Sequence, residues 1–264
     1  MPGAYLPYIY SFLNPSSITK GDYKGNFYTS RKQGLNAFSV FRQNYVNANY
    51  LIVNDSIHKQ GIGIRVLNDR AGEYIGINRV SLLYSYSIPL NSEYRLHVGI
   101  APSYINYRKE AQSFGGTAST GNLDLGAWLT SKKIQLGIAF NQVIPTSLTV
   151  IEEVDLLRPQ YAFTGNYTFY INQAFKLDVV LVNIVNVQFP NRHTLGSIIT
   201  YFQKIRAAIH YEIEHNINML IGIPQIKLPQ LDGKLTVDFV FSIPAPNQTF
   251  RRRNFIELLV NYNF

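Results

Sequence analysis

The stretch Arg251–Phe264, RRRNFIELLVNYNF, decides how the rest of the chain is read. From Ile256 every second residue is apolar: Ile256, Leu258, Val260, Tyr262 and Phe264. Glu257, Leu259, Asn261 and Asn263 alternate with them. A period of two puts one apolar face on a β-strand. Such a strand is either the edge of a soluble sandwich or the closing strand of a barrel.

Working outward, the same pattern recurs in hairpins. Val80, Leu82, Tyr84, Tyr86 and Ile88 lead through Asn91-Ser92-Glu93 into Tyr94, Leu96, Val98 and Ile100. Leu123–Leu129 leads through Ser131-Lys132-Lys133 into Ile134–Phe140. Phe163–Ile171 leads through Asn172-Gln173-Ala174 into Phe175–Leu181, and Leu195–Tyr201 leads through Gln203-Lys204 into Ile205–Ile213. The other connections, such as Lys109–Thr120 and Pro145–Gln160, are mostly longer and more polar. Alternating short and long connections mark a transmembrane barrel, with short turns at one end and longer loops at the other.

The residues opposite the apolar faces sharpen the choice. They include Arg65, Arg79, Arg95, His97, Asp124, Gln135, Lys176, Asp178, Arg206, His210, Glu212, Asp238 and Glu257. In a barrel they line the lumen; in a sandwich they face water. A charge at mid-depth on the lipid side would cost roughly 2–4 kcal/mol, and the apolar faces carry almost none. The expected fold is all-β: a transmembrane antiparallel up-and-down barrel of about 14 strands, with 12 or 16 as alternatives. The first strand is expected near Asn36–Arg42 and the second near Tyr50–Val53. Residues 1–33 form an N-terminal extended segment, periplasmic or plug-like, and residues 34–264 form the barrel.

Composition agrees with this. No apolar run approaches the roughly 18 residues of a spanning helix, and in lipid only helices and closed barrels satisfy the backbone. The 19 Tyr and 16 Phe suit membrane–water boundaries. There is no Cys, hence no thiolate metal site. The net charge of +8 is dispersed, which argues against a nucleic-acid stripe. The opening MPGAYLPYIYSF lacks a basic region followed by a clean apolar one, so the chain reads as a mature form without its signal peptide.

No constellation for catalysis, cofactor or metal is expected. The five His show no His-x-x-x-His spacing. His210 and Glu212 share a parity and read as a structural pair. Glu152-Glu153-x-Asp155 reads as a solvated loop, and Gly61-Ile62-Gly63 as small residues easing curvature. Tyr8, Tyr10, Asn14 and Pro15 are candidate partner contacts, with Asn14-Pro15-Ser16 tucking the N-terminal segment into or under the barrel. Arg251, Arg252 and Arg253 are candidate rim contacts for phosphates or an acidic partner.

Three stretches resemble the PorP/SprF family of outer-membrane proteins, which accompanies type IX secretion and gliding machinery. They are Tyr8-Ile9-Tyr10-Ser11-Phe12-Leu13-Asn14-Pro15-Ser16, Phe41-Arg42-Gln43-Asn44-Tyr45, and Gly61-Ile62-Gly63-Ile64-Arg65-Val66-Leu67-Asn68-Asp69-Arg70-Ala71-Gly72. Ser16-Ser17-Ile18 departs from the family's Ala-containing continuation. The final strand also resembles the closing strand of outer-membrane barrels, with Phe264 as an assembly signal. The resemblance implies a non-enzymatic accessory or anchoring barrel for surface proteins such as adhesins. Its partners would be outer-membrane lipid, translocon or periplasmic ring components, and secreted cargo. A passive or substrate-specific porin is the alternative.

Overall fold

The structure, a computed structural model, describes residues 13–20, 23–34, 41–55, 57–71, 75–111, 114–150, 153–186, 191–213, 216–227, 232–244 and 254–264. Among the described residues, sixteen strands follow a 3-10 turn over Pro15–Lys20. They are β1 (Gly25–Gly34), β2 (Phe41–Asn54), β3 (Lys59–Ala71), β4 (Ile75–Pro89), β5 (Arg95–Ala111), β6 (Phe114–Thr130), β7 (Ile134–Asn141), β8 (Thr146–Val150), β9 (Glu153–Leu157), β10 (Gln160–Tyr170), β11 (Phe175–Asn186), β12 (Arg192–Tyr201), β13 (Ile205–Glu212), β14 (Asn216–Lys227), β15 (Lys234–Pro244) and β16 (Phe255–Asn263). Fourteen close into one antiparallel barrel, while β8 and β9 pair separately inside the β7–β10 connection.

β16 is the closing strand, and its parity is the one its sequence shows. Glu257 and Leu259 are buried inward, and Leu258 is exposed on the outer face. Its partner, however, is β1 at Gly25–Gly34, inside the stretch expected to precede the barrel. The register runs from Asn26↔Asn263 to Gly34↔Phe255. The two strands expected near Asn36–Arg42 and Tyr50–Val53 are replaced by one, β2; residues 36–40 lie outside the described residues. The total of 14 therefore rests on one missed strand and one false division. β1 was illegible because its outward residues Thr29, Arg31 and Gln33 break the apolar alternation.

The turns at the end where β1 begins and β16 finishes are closed by local side chains. Asn91 Oδ1 accepts from the Glu93 and Tyr94 amides at 2.9 and 2.8 Å. Asn172 Oδ1 accepts from Ala174 and Phe175 at 2.8 and 2.9 Å. Ser131 Oγ accepts from Lys133 and Ile134 at 3.3 and 3.0 Å. At Phe202-Gln203 both central residues take positive φ, 46° and 56°, the signature of a type I′ hairpin turn.

At the opposite end the wall is uneven. β5 and β6 reach 17 residues each, against 8 for β7 and β13. The sequence pattern suggested a loop over Lys109–Thr120; the strands in fact continue to Ala111 and restart at Phe114. The apolar signal stops there because the wall has left the lipid band. The register shows that limit as three stacked outward rows. Val46, Val66, Val80 and Tyr104 are successive cross-strand partners. One step higher stand Asn44, Asn68, Asn78 and Asn106. The next row holds Arg42, Arg70, Gly76 and Arg108. On β4 the outward apolar residues from Val80 to Ile88 span about 26 Å along the strand at ~3.3 Å per residue. At a tilt of about 35–45° that is roughly 20 Å of height, inside an apolar band about 25 Å tall.

Candidate functional site: the lumen and the segment that fills it

The inward residues form three apolar clusters and several ion pairs. Tyr28, Tyr45, Leu67, Leu220, Val240 and Leu259 pack together across β1–β3 and β14–β16, with the Tyr28 and Tyr45 rings edge-to-face at 5.5 Å. This half of the lumen is filled by large side chains of the wall itself.

The other half is filled by the chain's own N-terminal segment. Leu13, Asn14, Pro15, Ser16, Ile18 and Thr19 are all buried. Ile18 packs with Leu51, Leu83 and Ala101 on β2, β4 and β5. Leu13 packs with Ala139, Ala162, Val180, Val182, Ile184 and Ile198 on β7 and β10–β12. The segment therefore bridges two separate patches of wall.

The wall is cut away to receive it. A Cβ at Gly99 would stand 2.4 Å from the Ser16 nitrogen and 2.6 Å from the Pro15 carbonyl carbon. One at Gly126 would meet Asn14 Oδ1 at 2.0 Å, and one at Gly61 would meet Ile18 Cγ2 at 2.6 Å. Gly61 thus makes room for the insert, a different role from the easing of curvature expected of it.

Polar contacts fix the insert's position. Asn14 Nδ2 donates to the carbonyls of Ala127 and Ile138, both at 2.9 Å, a directly opposed pair on β6 and β7. Asn14 Oδ1 accepts from the Ser16 amide and hydroxyl at 3.0 and 2.6 Å. Ser85 Oγ donates to the Ser16 carbonyl at 3.0 Å. Thr19 Oγ1 lies 2.9 Å from both Ser85 Oγ and His97 Nδ1, and His97 Nε2 lies 2.9 Å from Thr130 Oγ1. One proton assignment satisfies this whole chain. Thr130 donates to Nε2, Nδ1–H donates to Thr19, Thr19 donates to Ser85, and Ser85 donates to the Ser16 carbonyl. Lys20 Nζ sits 4.4 Å from the Trp128 ring centroid, a cation–π contact.

Several buried charges are paired across the remaining lumen. Asp124 Oδ2 accepts from Arg65 at 2.7 Å and from Arg79 at 2.6 Å, while Asp124 Oδ1 accepts the Gln142 amide at 2.9 Å. Arg206 pairs with Asp238, and Lys176 with Asp178 at 3.0 Å. Glu212 bonds Arg192, and the His210 ring covers Gly196. Removing one partner of such a buried pair costs about 3–5 kcal/mol, so the network braces the interior. Among the described residues no three His, Asp or Glu side chains stand together as a metal site.

Of the residues singled out in the sequence, Asn14 and Pro15 lie in the lumen, against the wall. Phe264 lies at the seam. Its backbone exchanges bonds of 2.8 and 3.0 Å with Gly25, and its ring occupies the space a Gly25 Cβ would need. It also stacks on Tyr262 at 5.6 Å. Tyr8, Tyr10, Glu152, Arg251, Arg252 and Arg253 lie outside the described residues. Sequence reasoning missed Leu13, Ile18, Thr19, His97 and Trp128 as a group. The only signal was the coincidence of inward glycines on adjacent strands with small polar residues after Asn14-Pro15.

A closed, lipid-faced barrel with a filled, ion-paired interior defines the class: a transmembrane β-barrel protein. Within that class the chain belongs to the family described as type IX secretion system membrane protein PorP/SprF, whose model matches residues 4–262. Fold and family together indicate the outer membrane. No curated protein matches the chain. Among solved structures it is similar to a TodX monoaromatic hydrocarbon channel deltaS2 mutant, with 11% identity, 97% of this chain and 94% of that one covered, and a TM-score of 0.65. It is also similar to the Pseudomonas putida toluene transporter TodX, with 10% identity, 97% and 93% covered, and a TM-score of 0.59. A Pseudomonas aeruginosa FadL homologue shows 10% identity, 97% and 94% covered, and a TM-score of 0.56. At these identities the likeness is one of fold.

Proposed function

We propose that the protein is a non-conducting, non-enzymatic accessory or anchoring component of type IX secretion. It acts by binding a translocon or periplasmic ring component, or a secreted surface protein such as an adhesin, at its rims. The observation that supports this reading is the insert. A barrel whose lumen is bridged by its own chain, bolted to β6–β7 by Asn14, offers its ends and not its interior to other molecules. In this reading the short-turn end, where β1 begins and β16 finishes, faces the periplasm. Tyr8, Tyr10 and Arg251–Arg253 are partner contacts, and Phe264 serves barrel assembly.

The test is isolation from native membranes in mild detergent with a tag in the β8–β9 connection. Co-isolation of a translocon or ring component, or of an exported surface protein, supports the proposal. A protein recovered alone under conditions that keep the translocon intact contradicts it.

A further inference from the structure

The outward Arg row is laid out unlike an ordinary solvated surface. Arg42 and Arg70 are direct cross-strand partners on β2 and β3, with Cα atoms at the ~4.5–5.5 Å spacing of such pairs. Like charges placed opposite one another are destabilising on their own. Arg70 faces Gly76, and Gly76 faces Arg108, so two guanidinium side chains flank a position with no side chain. That gap is open: a Cβ at Gly76 would meet only the Asp69 carbonyl, at 3.9 Å. Arg31, on β1, adds a further outward cation beside Asn44. Arg31, Arg42, Arg70 and Arg108 are all exposed.

Height fixes what this row meets. It stands four residues above the last apolar row, about 13 Å along the strand or roughly 10 Å of height at a tilt of about 35–45°, and long arginine side chains reach back toward the membrane from there. The Asn row fills the step between, with Asn68 Nδ2 donating to Asn78 Oδ1 at 2.5 Å. That is the level of lipid headgroups. Guanidinium groups bind phosphate bidentately, and an anion shared among them relieves the repulsion between Arg42 and Arg70. We propose that Arg42, Arg70 and Arg108, arranged around Gly76, form a binding site for the phosphorylated headgroup of a lipid in the leaflet at the long-strand end. The site is independent of the accessory role proposed above.

The test uses the full-length protein in nanodiscs containing diphosphorylated lipid A and phosphatidylcholine in equal amounts, followed by native mass spectrometry of the released protein. The wild type is expected to retain lipid A preferentially. The preference should fall by ~5-fold for each arginine removed in Arg42→Gln and Arg70→Gln. Gly76→Glu should abolish it, because the new carboxylate fills an open gap beside the guanidinium groups. Lys132→Gln with Lys133→Gln, at the other end, should leave it unchanged. Heat-dependent gel mobility verifies that each variant is folded. Equal retention of both lipids by the wild type, or a preference that survives both Arg42→Gln with Arg70→Gln and Gly76→Glu, overturns the proposal. So does displacement of the bound lipid by millimolar inorganic phosphate alone, which would mark a site for free phosphate.

Discussion

The two halves of the lumen are sealed by opposite means. Around β1–β3 and β14–β16 the wall carries Tyr28, Tyr45, Leu67 and Leu259 and fills the space itself. Around β3–β7 the wall presents Gly61, Gly99 and Gly126, and a separate stretch of chain occupies the space they leave. The first seal belongs to the barrel and is lost only when the barrel unfolds. The second is a discrete element whose removal leaves every strand pairing in place. Perturbing one half should therefore cost stability, and perturbing the other should open access.

The largest effect that separates them is expected from Gly99→Leu, whose side chain competes with the backbone of Pro15 and Ser16 for the same space. The chain has no cysteine, so Ser16→Cys reports directly. That thiol should resist a membrane-impermeant reagent in the parent and react once Gly99→Leu is added, with heat-dependent mobility retained. Asp124→Ala comes next. It leaves Arg65 and Arg79 buried against one another and should cost about 3–5 kcal/mol, seen as a lowered denaturant midpoint in detergent. Leu259→Ala should cost ~2–5 kcal/mol without exposing the Ser16→Cys thiol; exposure there would erase the distinction between the halves. Asn14→Ala removes the amide that two wall carbonyls share and should weaken the insert by ~1–3 kcal/mol, raising thiol reactivity only in part.

The smallest effect lies at the turn joining β2 and β3. The backbone amides of His58 and Ile57 hold the exposed Asp55 carboxyl below the ordinary aspartate range. A depressed carboxylate stabilises the fold above its unfolded pKa, near 3.9, and that stability is lost as pH falls through the lower folded value. Amide exchange at Ile57 and His58 should therefore quicken only at strongly acidic pH. Asp55→Ala should show the faster rate at neutral pH.

Much of this was legible along the strands and little of it across the lumen. Strict alternation from Val80 to Ile100 announced both β-structure and the buried parity of Arg79 and His97, because a period of two carries side-chain direction with it. It failed wherever the outward face was not lipid. β1 and the upper arms of β5 and β6 present Thr, Arg, Asn and Ser outward, and they read as polar loops. Asn14-Pro15-Ser16 reads as a stretch that tucks the N-terminal segment into or under the barrel, yet nothing local says that Asn14 reaches carbonyls on β6 and β7, more than a hundred residues away. Gly61 was misread for the same reason. Its neighbour Ile18 is remote in sequence, so a missing Cβ on a strand looks like freedom to bend when it is space for another segment.

The central claim is that the N-terminal insert, rather than the barrel wall alone, keeps the lumen shut. Single-channel recording in planar bilayers tests it most directly, with the intact protein beside a variant lacking residues 1–20. The expected result is no steady conductance from the intact protein and discrete open levels from the truncated one. Steady, large conductance from the intact protein would contradict the account and favour the porin reading.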